Sequence, residues 1–137
     1  MIRHYLLDTG IAQDFQDDRR EMRGKAKAVR ALGHRVGICV PVLGELWSGV
    51  EGSDQRERNL KQLRHALKKL VIWPYSTAAA AEYGRIYTEL KRAGRPVQQV
   101  DMQIAAIART LPNCIVVSKD GDLAAISGIT VENWSLP

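Results

Sequence analysis

Tyr5-Leu6-Leu7-Asp8-Thr9-Gly10 is an apolar run that stops on a carboxylate and then a turn residue. Such a run reads as a short buried strand over residues 3–7. In an open α/β sheet, ligands sit beyond the carboxyl ends of the strands. A first strand that ends on Asp8 therefore makes that side chain a candidate for the floor of an active site. The remaining chain is then a search for further carboxylates delivered to the same edge.

Working outward, the same kind of run recurs. Val36-Gly37-Ile38-Cys39-Val40 reads as a second buried strand, Val71-Ile72-Trp73 as a third ended by Pro74, and Cys114-Ile115-Val116-Val117-Ser118 as a fourth. Ile129-Thr130-Val131 is a candidate fifth. Helical spacing fills the gaps. A helix can start over 11–16, the polar cluster Gln16–Glu21 reads as a loop or helix end, and Met22, Ala26 and Val29 recur with Gly33 as the stop. Pro41 suits a first helical turn. Val42, Leu46 and Gly49 then share a face, with Glu45 assigned to that same core-facing stripe. Asp54 is a candidate cap for a long helix with Leu60, Leu63, Leu67 and Leu70 inward. Thr77 is the candidate cap of a helix with Tyr83, Ile86, Tyr87 and Leu90 inward, stopped at Gly94. Val100, Ile104, Ile107 and Leu111 mark an alanine-rich helix. Strands alternating with helices imply βαβ units and a parallel sheet, and right-handed crossovers put helices on both faces. The expected fold class is α/β, one domain over 1–137, with a central parallel sheet of four to five strands in a three-layer α/β/α sandwich.

The 137 residues suffice for one ordinary domain, and a chain of that length buries roughly two-thirds of its unfolded surface. Nothing approaches the roughly 20 apolar residues that span a bilayer, so no membrane role is expected. Met1-Ile2-Arg3-His4 leads straight into the first strand, without the apolar core of a signal peptide. Cys39 and Cys114 have no metal-ligand neighbours at useful spacing and read as core thiols of a cytoplasmic protein. A net charge of +5 and a pI near 9.5 permit an anionic partner without requiring one.

Acidic residues supply the chemistry. Asp8 ends strand one, Glu45 follows strand two by five residues, and Asp120 and Asp122 follow strand four. Parallel topology gathers these at one edge. Asp101, which heads the alanine-rich helix, is left open by this argument, since a helix start before a strand can lie at the opposite edge. Two carboxylates about 4 Å apart repel by roughly 4 kcal/mol at an effective dielectric of about 20. A gathered set must take up protons or a cation. Oxygen-only donors suit a hard ion such as Mg²⁺ or Mn²⁺, and such a site activates water and stabilises charge on phosphate.

Other readings of single motifs are weaker. Asp8-Thr9-Gly10 matches the aspartic-protease triplet, but that fold is all-β and this chain is dominated by helical stripes. There is no dinucleotide-binding glycine motif, Walker loop or H-E-x-x-H. A receiver-like phospho-acceptor domain needs an acid pair before Asp8, and none is present. The helix over 56–69 carries Arg56, Arg58, Lys61, Arg64, Lys68 and Lys69 against Glu57, which reads first as a solvated face and otherwise makes Arg56, Lys61, Arg64 and Lys68 candidate RNA contacts.

Taken together, these motifs resemble the PIN-domain ribonucleases, specifically VapC-type toxins of toxin–antitoxin pairs. Tyr5-Leu6-Leu7-Asp8-Thr9 is similar to the family's opening strand and first acid, and Pro41-Val42-Leu43-Gly44-Glu45-Leu46 to its second acidic motif. Val100-Asp101-Met102-Gln103-Ile104-Ala105-Ala106 resembles the third, Val117-Ser118-Lys119-Asp120-Gly121-Asp122-Leu123 the fourth, and Gly128-Ile129-Thr130-Val131-Glu132-Asn133-Trp134 the usual ending. The resemblance implies an endoribonuclease dependent on Mg²⁺ or Mn²⁺ that hydrolyses RNA phosphodiester bonds, in tRNA or rRNA, and so inhibits translation. Asp8, Glu45, Asp101 and Asp120 would be catalytic, and Asp8, Asp101, Asp120 and Asp122 would hold the metal. Which of Asp120 and Asp122 takes the fourth acidic role stays open. It also implies that Asp101 lies beside strand one, a homodimer, and a VapB-like antitoxin whose tail occupies the active-site groove. Two positions depart from the pattern: Gly10 replaces the usual Asn, and Leu123 the usual Phe. A catalytically weakened module that binds RNA or protein is the alternative these departures raise.

Overall fold

The strand His4–Leu7 (β1) occupies the middle of the sheet, and its residues are buried as a central parallel strand requires: Leu6 and Leu7 are inaccessible to solvent. A computed structural model describes residues 1–135. After β1 come α1 (Thr9–Asp17), α2 (Met22–Ala31), β2 (Arg35–Cys39), α3 (Val40–Glu51), α4 (Arg56–Leu67), β3 (Val71–Trp73), α5 (Thr77–Arg92), α6 (Gln99–Thr110), β4 (Cys114–Val117), α7 (Gly121–Ala124) and β5 (Thr130–Glu132). The strands form one five-stranded, wholly parallel sheet in the order β3-β2-β1-β4-β5, flanked by helices. This is the expected α/β architecture, with all five strands present.

The order of the strands locates the functional edge. The chain steps from β1 to β2 to β3 on one side, then returns to place β4 on the other side of β1. The connections leaving β1 and β4 therefore diverge, and a crevice opens at their carboxyl ends. Leu7 pairs with Val117 at that edge, and Asp8 N–H donates to the Val117 carbonyl at 3.0 Å. Side chains at 8 and just after 117 thus leave the sheet side by side.

Several boundaries differ from the sequence reading, each for a local reason. Asp8 caps α1, so the helix begins at Thr9, and Gly10 lies in its first turn rather than in a loop. Val40 is 47% exposed and starts α3, so the second strand is shifted by one residue to Arg35–Cys39. The fourth strand ends at Val117, and the fifth is shifted to Thr130–Glu132. α4 begins at Arg56 without a side-chain cap; Ser53 Oγ, not Asp54, accepts from Gln55 N–H at 3.0 Å. Its inward face is Leu60, Leu63 and Ala66, and Leu70 falls beyond its end. Ser76 rather than Thr77 caps α5, accepting from Ala79 N–H at 3.2 Å. Tyr87 is half exposed and stacks on Tyr83, so the buried stripe of α5 is Ala79, Ile86 and Leu90.

The buried apolar residues form one continuous core around the sheet, with Phe15, Met22, Leu63, Ile86, Ile104 and Ile107 among its largest members. α6 packs closely because Ala105 and Ala106 are small and inaccessible. Gly37 serves the sheet itself: a Cβ there would stand 2.2 Å from the Val71 carbonyl oxygen. Both cysteines are free thiols, Cys39 buried and Cys114 partly so. Burial pushes them up to about 11 and about 12, which leaves them without thiolate character at neutral pH. No helix among the described residues is long and apolar enough to cross a membrane.

Candidate active site

Asp8 is held before any ligand arrives. As the N-cap of α1 it accepts from Ile11 N–H through Oδ1 at 2.9 Å. Its other oxygen accepts from Ser118 Oγ at 2.5 Å, and only 6% of the residue is exposed. Burial raises its pKa. The bonds from Ser118 and Ile11 pull it back, Asp120 pushes it up again, and Lys119 lowers it. The carboxylate is thus both desolvated and oriented.

The exit of β4 supplies the next groups. Ser118 is 2% exposed, and its hydroxyl, while donating to Asp8, accepts from Asp120 N–H at 3.0 Å. Asp120 caps α7, with Oδ1 accepting from Asp122 N–H at 2.9 Å. This short Ser118–Asp122 segment is folded on its own side chains, which fixes where its carboxylates project. Asp101 arrives from α6, in the first turn, where the helix dipole favours a negative charge.

One oxygen from each of Asp101, Asp120 and Asp122 lies within 4.8 Å of the others. Asp101 feels the gathering: burial first, then Asp120, Asp8, Asp122 and Glu45 push its carboxyl up to about 6. The doubt over Asp101 is thereby removed, since α6 brings it to the same edge as Asp8. Asp122 is also paired with Arg95 of the α5–α6 loop, at 2.8 Å.

Glu45 requires a correction. It is exposed, not part of a buried stripe; the inward residues of α3 are Val42, Leu46 and Val50. Its side chain lines the same cleft as Asp8, Thr9, Gly10, Asp101, Lys119 and Asp120. Asp122 stands at the margin, in the acidic trio but not in that lining.

The basic candidates separate from this cleft. Arg56, a candidate RNA contact from the sequence, is engaged by Glu51 and Glu57, each at 2.9 Å. Lys61, Arg64 and Lys68 line a shallow depression on α4 with Leu60 and His65. None of the four lines the acidic cleft.

Three groups at the site were not assigned roles from sequence. Ser118 was read only as the end of a strand; a hydroxyl immediately before an acidic turn was the available signal. Asp14, buried on α1, accepts from Lys119 Nζ at 3.4 Å and has Arg20 at 3.6 Å. Thr9 Oγ1 is buried without a hydrogen-bond partner.

The donor set fits a hard divalent ion. All candidate donors in the cleft are oxygens, with no His or Cys beside them. Burial first, and neighbouring carboxylates after it, raise the carboxyls of Asp8 and Asp101, a strain that a bound cation would relieve.

Known proteins share the sequence pattern and the fold of this chain. The pattern that defines the PIN domain matches residues 5–129. The chain is 37% identical over 100 residues to the tRNA(fMet)-specific endonuclease VapC of Shigella flexneri, covering 72% of this chain and 76% of that one. It is 30% identical over 132 residues to ribonuclease VapC2 of Haemophilus influenzae, covering 95% and 97%. Among solved structures, VapBC2 of Rickettsia felis bound to a promoter DNA fragment superposes with a TM-score of 0.88 at 27% identity, over 96% of this chain and 98% of that one. DNA-bound VapBC of Salmonella typhimurium gives 0.85 at 30% identity, over 98% and 99%.

Proposed function

This chain belongs to the PIN domain family, and from that premise we propose that it is a metal-dependent endoribonuclease, the toxin of a VapBC-type toxin–antitoxin pair. The observation that carries the reading is the trio Asp101, Asp120 and Asp122 within 4.8 Å of one another, beside the buried and oriented Asp8. Relatives named as VapC ribonucleases support it.

Asp8, Asp101 and Asp120 would hold Mg²⁺ or Mn²⁺, with Asp122 in support. When bound, the ion supplies an acidified water for attack at phosphorus and positive charge for the phosphate. The chain's own groups do the rest. Ser118 and Ile11 N–H keep both oxygens of Asp8 fixed, so no side-chain freedom is lost when the site fills. Glu45, exposed in the lining of the same cleft, would accept a proton from the attacking water. Arg95 takes part of the charge of Asp122 and so limits the repulsion within the trio.

A VapB-like antitoxin is the proposed partner, in keeping with the VapBC complexes that share the fold. A homodimer is the proposed assembly. RNA is the proposed substrate, with Lys61, Arg64 and Lys68 of α4 as a remote contact face. The deciding experiment is RNA cleavage with Mg²⁺ or Mn²⁺ by wild type and by Asp8→Asn. Cleavage by wild type alone is expected; equal cleavage by both overturns the assignment. Charge reversal at Arg64 and Lys68 tests the remote face, and unchanged RNA affinity and salt dependence would remove it.

A further inference from the structure

Lys119 is the one basic side chain among the residues lining the acidic cleft. Its stem passes beside Gly10: a Cβ on Gly10 would stand 3.7 Å from Lys119 Cε and 3.8 Å from Asp8 Oδ1. A longer side chain at position 10 would extend toward the volume that the lysine stem holds. The small residue thus leaves the lysine room to lie across the cleft wall.

The ammonium is loosely tied. Its hydrogen bond to Asp14 Oδ2 is long, at 3.4 Å, and its side chain is 41% exposed. Asp14 is buried, which would ordinarily make its cation costly to remove. Arg20, however, stands 3.6 Å from the same oxygen. The lysine can therefore leave without stranding a buried charge.

A cleft walled by carboxylates repels a polyanion, and a strand entering it needs a cation that moves with it. A hydrated ammonium on a flexible stem binds phosphate as a point charge. We propose that Lys119 is the phosphate-contacting cation of this cleft: on RNA binding it leaves Asp14 and takes a backbone phosphate oxygen beside Asp8, in space that Gly10 leaves open. This rests on the ribonuclease reading above. The competing role is a plain ion pair, in which Lys119 only neutralises Asp14.

The test compares wild type, Lys119→Met, Lys119→Arg and Asp14→Asn, with thermal melts for each. Binding of a labelled single-stranded RNA is measured in chelator, where no cleavage occurs, across a salt series. Lys119→Met should bind about tenfold more weakly, with a salt slope smaller by about 0.7. Lys119→Arg should stay within about threefold of wild type. Asp14→Asn, which releases the lysine, should bind at least as tightly as wild type. With metal present, Lys119→Met should raise KM more than it lowers kcat. The ion-pair role instead predicts that Lys119→Met and Asp14→Asn lose thermal stability alike and leave RNA affinity unchanged. Wild-type affinity and salt slope in Lys119→Met overturn the inference, as does weakened binding in a folded Asp14→Asn. If wild type cleaves RNA while Lys119→Met is unaltered, only this inference falls. A wild type that neither binds nor cleaves RNA removes the ribonuclease reading as well.

Discussion

Ser118 Oγ lies 2.5 Å from Asp8 Oδ2, and this bond ties the exit of β4 to the exit of β1 across 110 residues of sequence. Removing the hydroxyl leaves a buried carboxylate oxygen without a donor. Ser118→Ala should cost about 1.5–3 kcal/mol in urea melts, the range for hydrogen bonds to charged groups. It should also raise the Asp8 pKa further, moving the acid limb of the cleavage pH profile upward.

Asp8→Asn should separate activity from stability. Asn is as good an N-cap as Asp and retains an oxygen for Ile11 N–H. The Ser118 hydroxyl can turn to accept from the new amide. Since burial disfavours the native charge, the ion-free variant should melt at or above the wild-type temperature at pH 7 while cleavage falls by about 100-fold or more.

Asp101 sets a pH dependence of known sign. Its folded pKa of about 6 lies above the ordinary 3.8. The folded state therefore binds the proton more tightly than the unfolded state does. The stability from this proton is fully present below about pH 3.8 and is lost as pH rises through about 6. In chelator, this group should lower the melting temperature between pH 4 and pH 7, and Asp101→Asn should flatten that fall. Added Mg²⁺ or Mn²⁺ should restore wild-type stability at neutral pH, with apparent affinity rising through pH 6 as protons cease to compete.

Gly37→Ala should be severe, because its Cβ would enter the backbone of Val71 at 2.2 Å. The β2–β3 pairing must open to admit it. A loss of about 3 kcal/mol or more is expected, at the upper end for overpacking. Denaturant midpoints measure it, and RNA cleavage below the transition should survive.

Arg109 clamps α5, α6 and the loop before β5: its guanidinium reaches Glu82, Glu89 and the Ser127 carbonyl, and its side chain is 14% exposed. Arg109→Met should cost about 1–2 kcal/mol, since the Ser127 carbonyl loses its donor while Glu82 keeps Arg85 and Glu89 keeps Ser127 Oγ, without changing KM for RNA.

The sheet and the position of Asp8 were legible because both are written locally, in short apolar runs and in the residue that ends one of them. Glu45 was misread for a geometric reason. At about 100° per residue it sits about 100° from the centre of the Val42–Leu46–Val50 stripe, on its flank. Adjacency to Leu46 in sequence does not decide such a flank. Arg56 lies one residue from Glu57 and five from Glu51, and only the structure shows that it pairs with both. Ser118, Asp14 and Lys119 were hidden by distance: Lys119 meets Asp14 across 105 residues, and no periodicity encodes a pair made by sheet order. Asp101 needed the topology, since only the packing of α6 decides which edge its first turn reaches.

The position of β4 in the sheet has a further consequence in time. β1 is the first strand of the chain and pairs with β2 early in sequence, but its other edge waits for residues 114–117. Closing that loop is slow relative to the local helices on either side. A growing chain that stops short of β4 holds Asp8, Glu45 and Asp101 but lacks the Ser118 hydroxyl and the Asp120 carboxylate. The acidic trio is thus complete only once β4 and the turn after it are in place, among the last parts of the chain to be made.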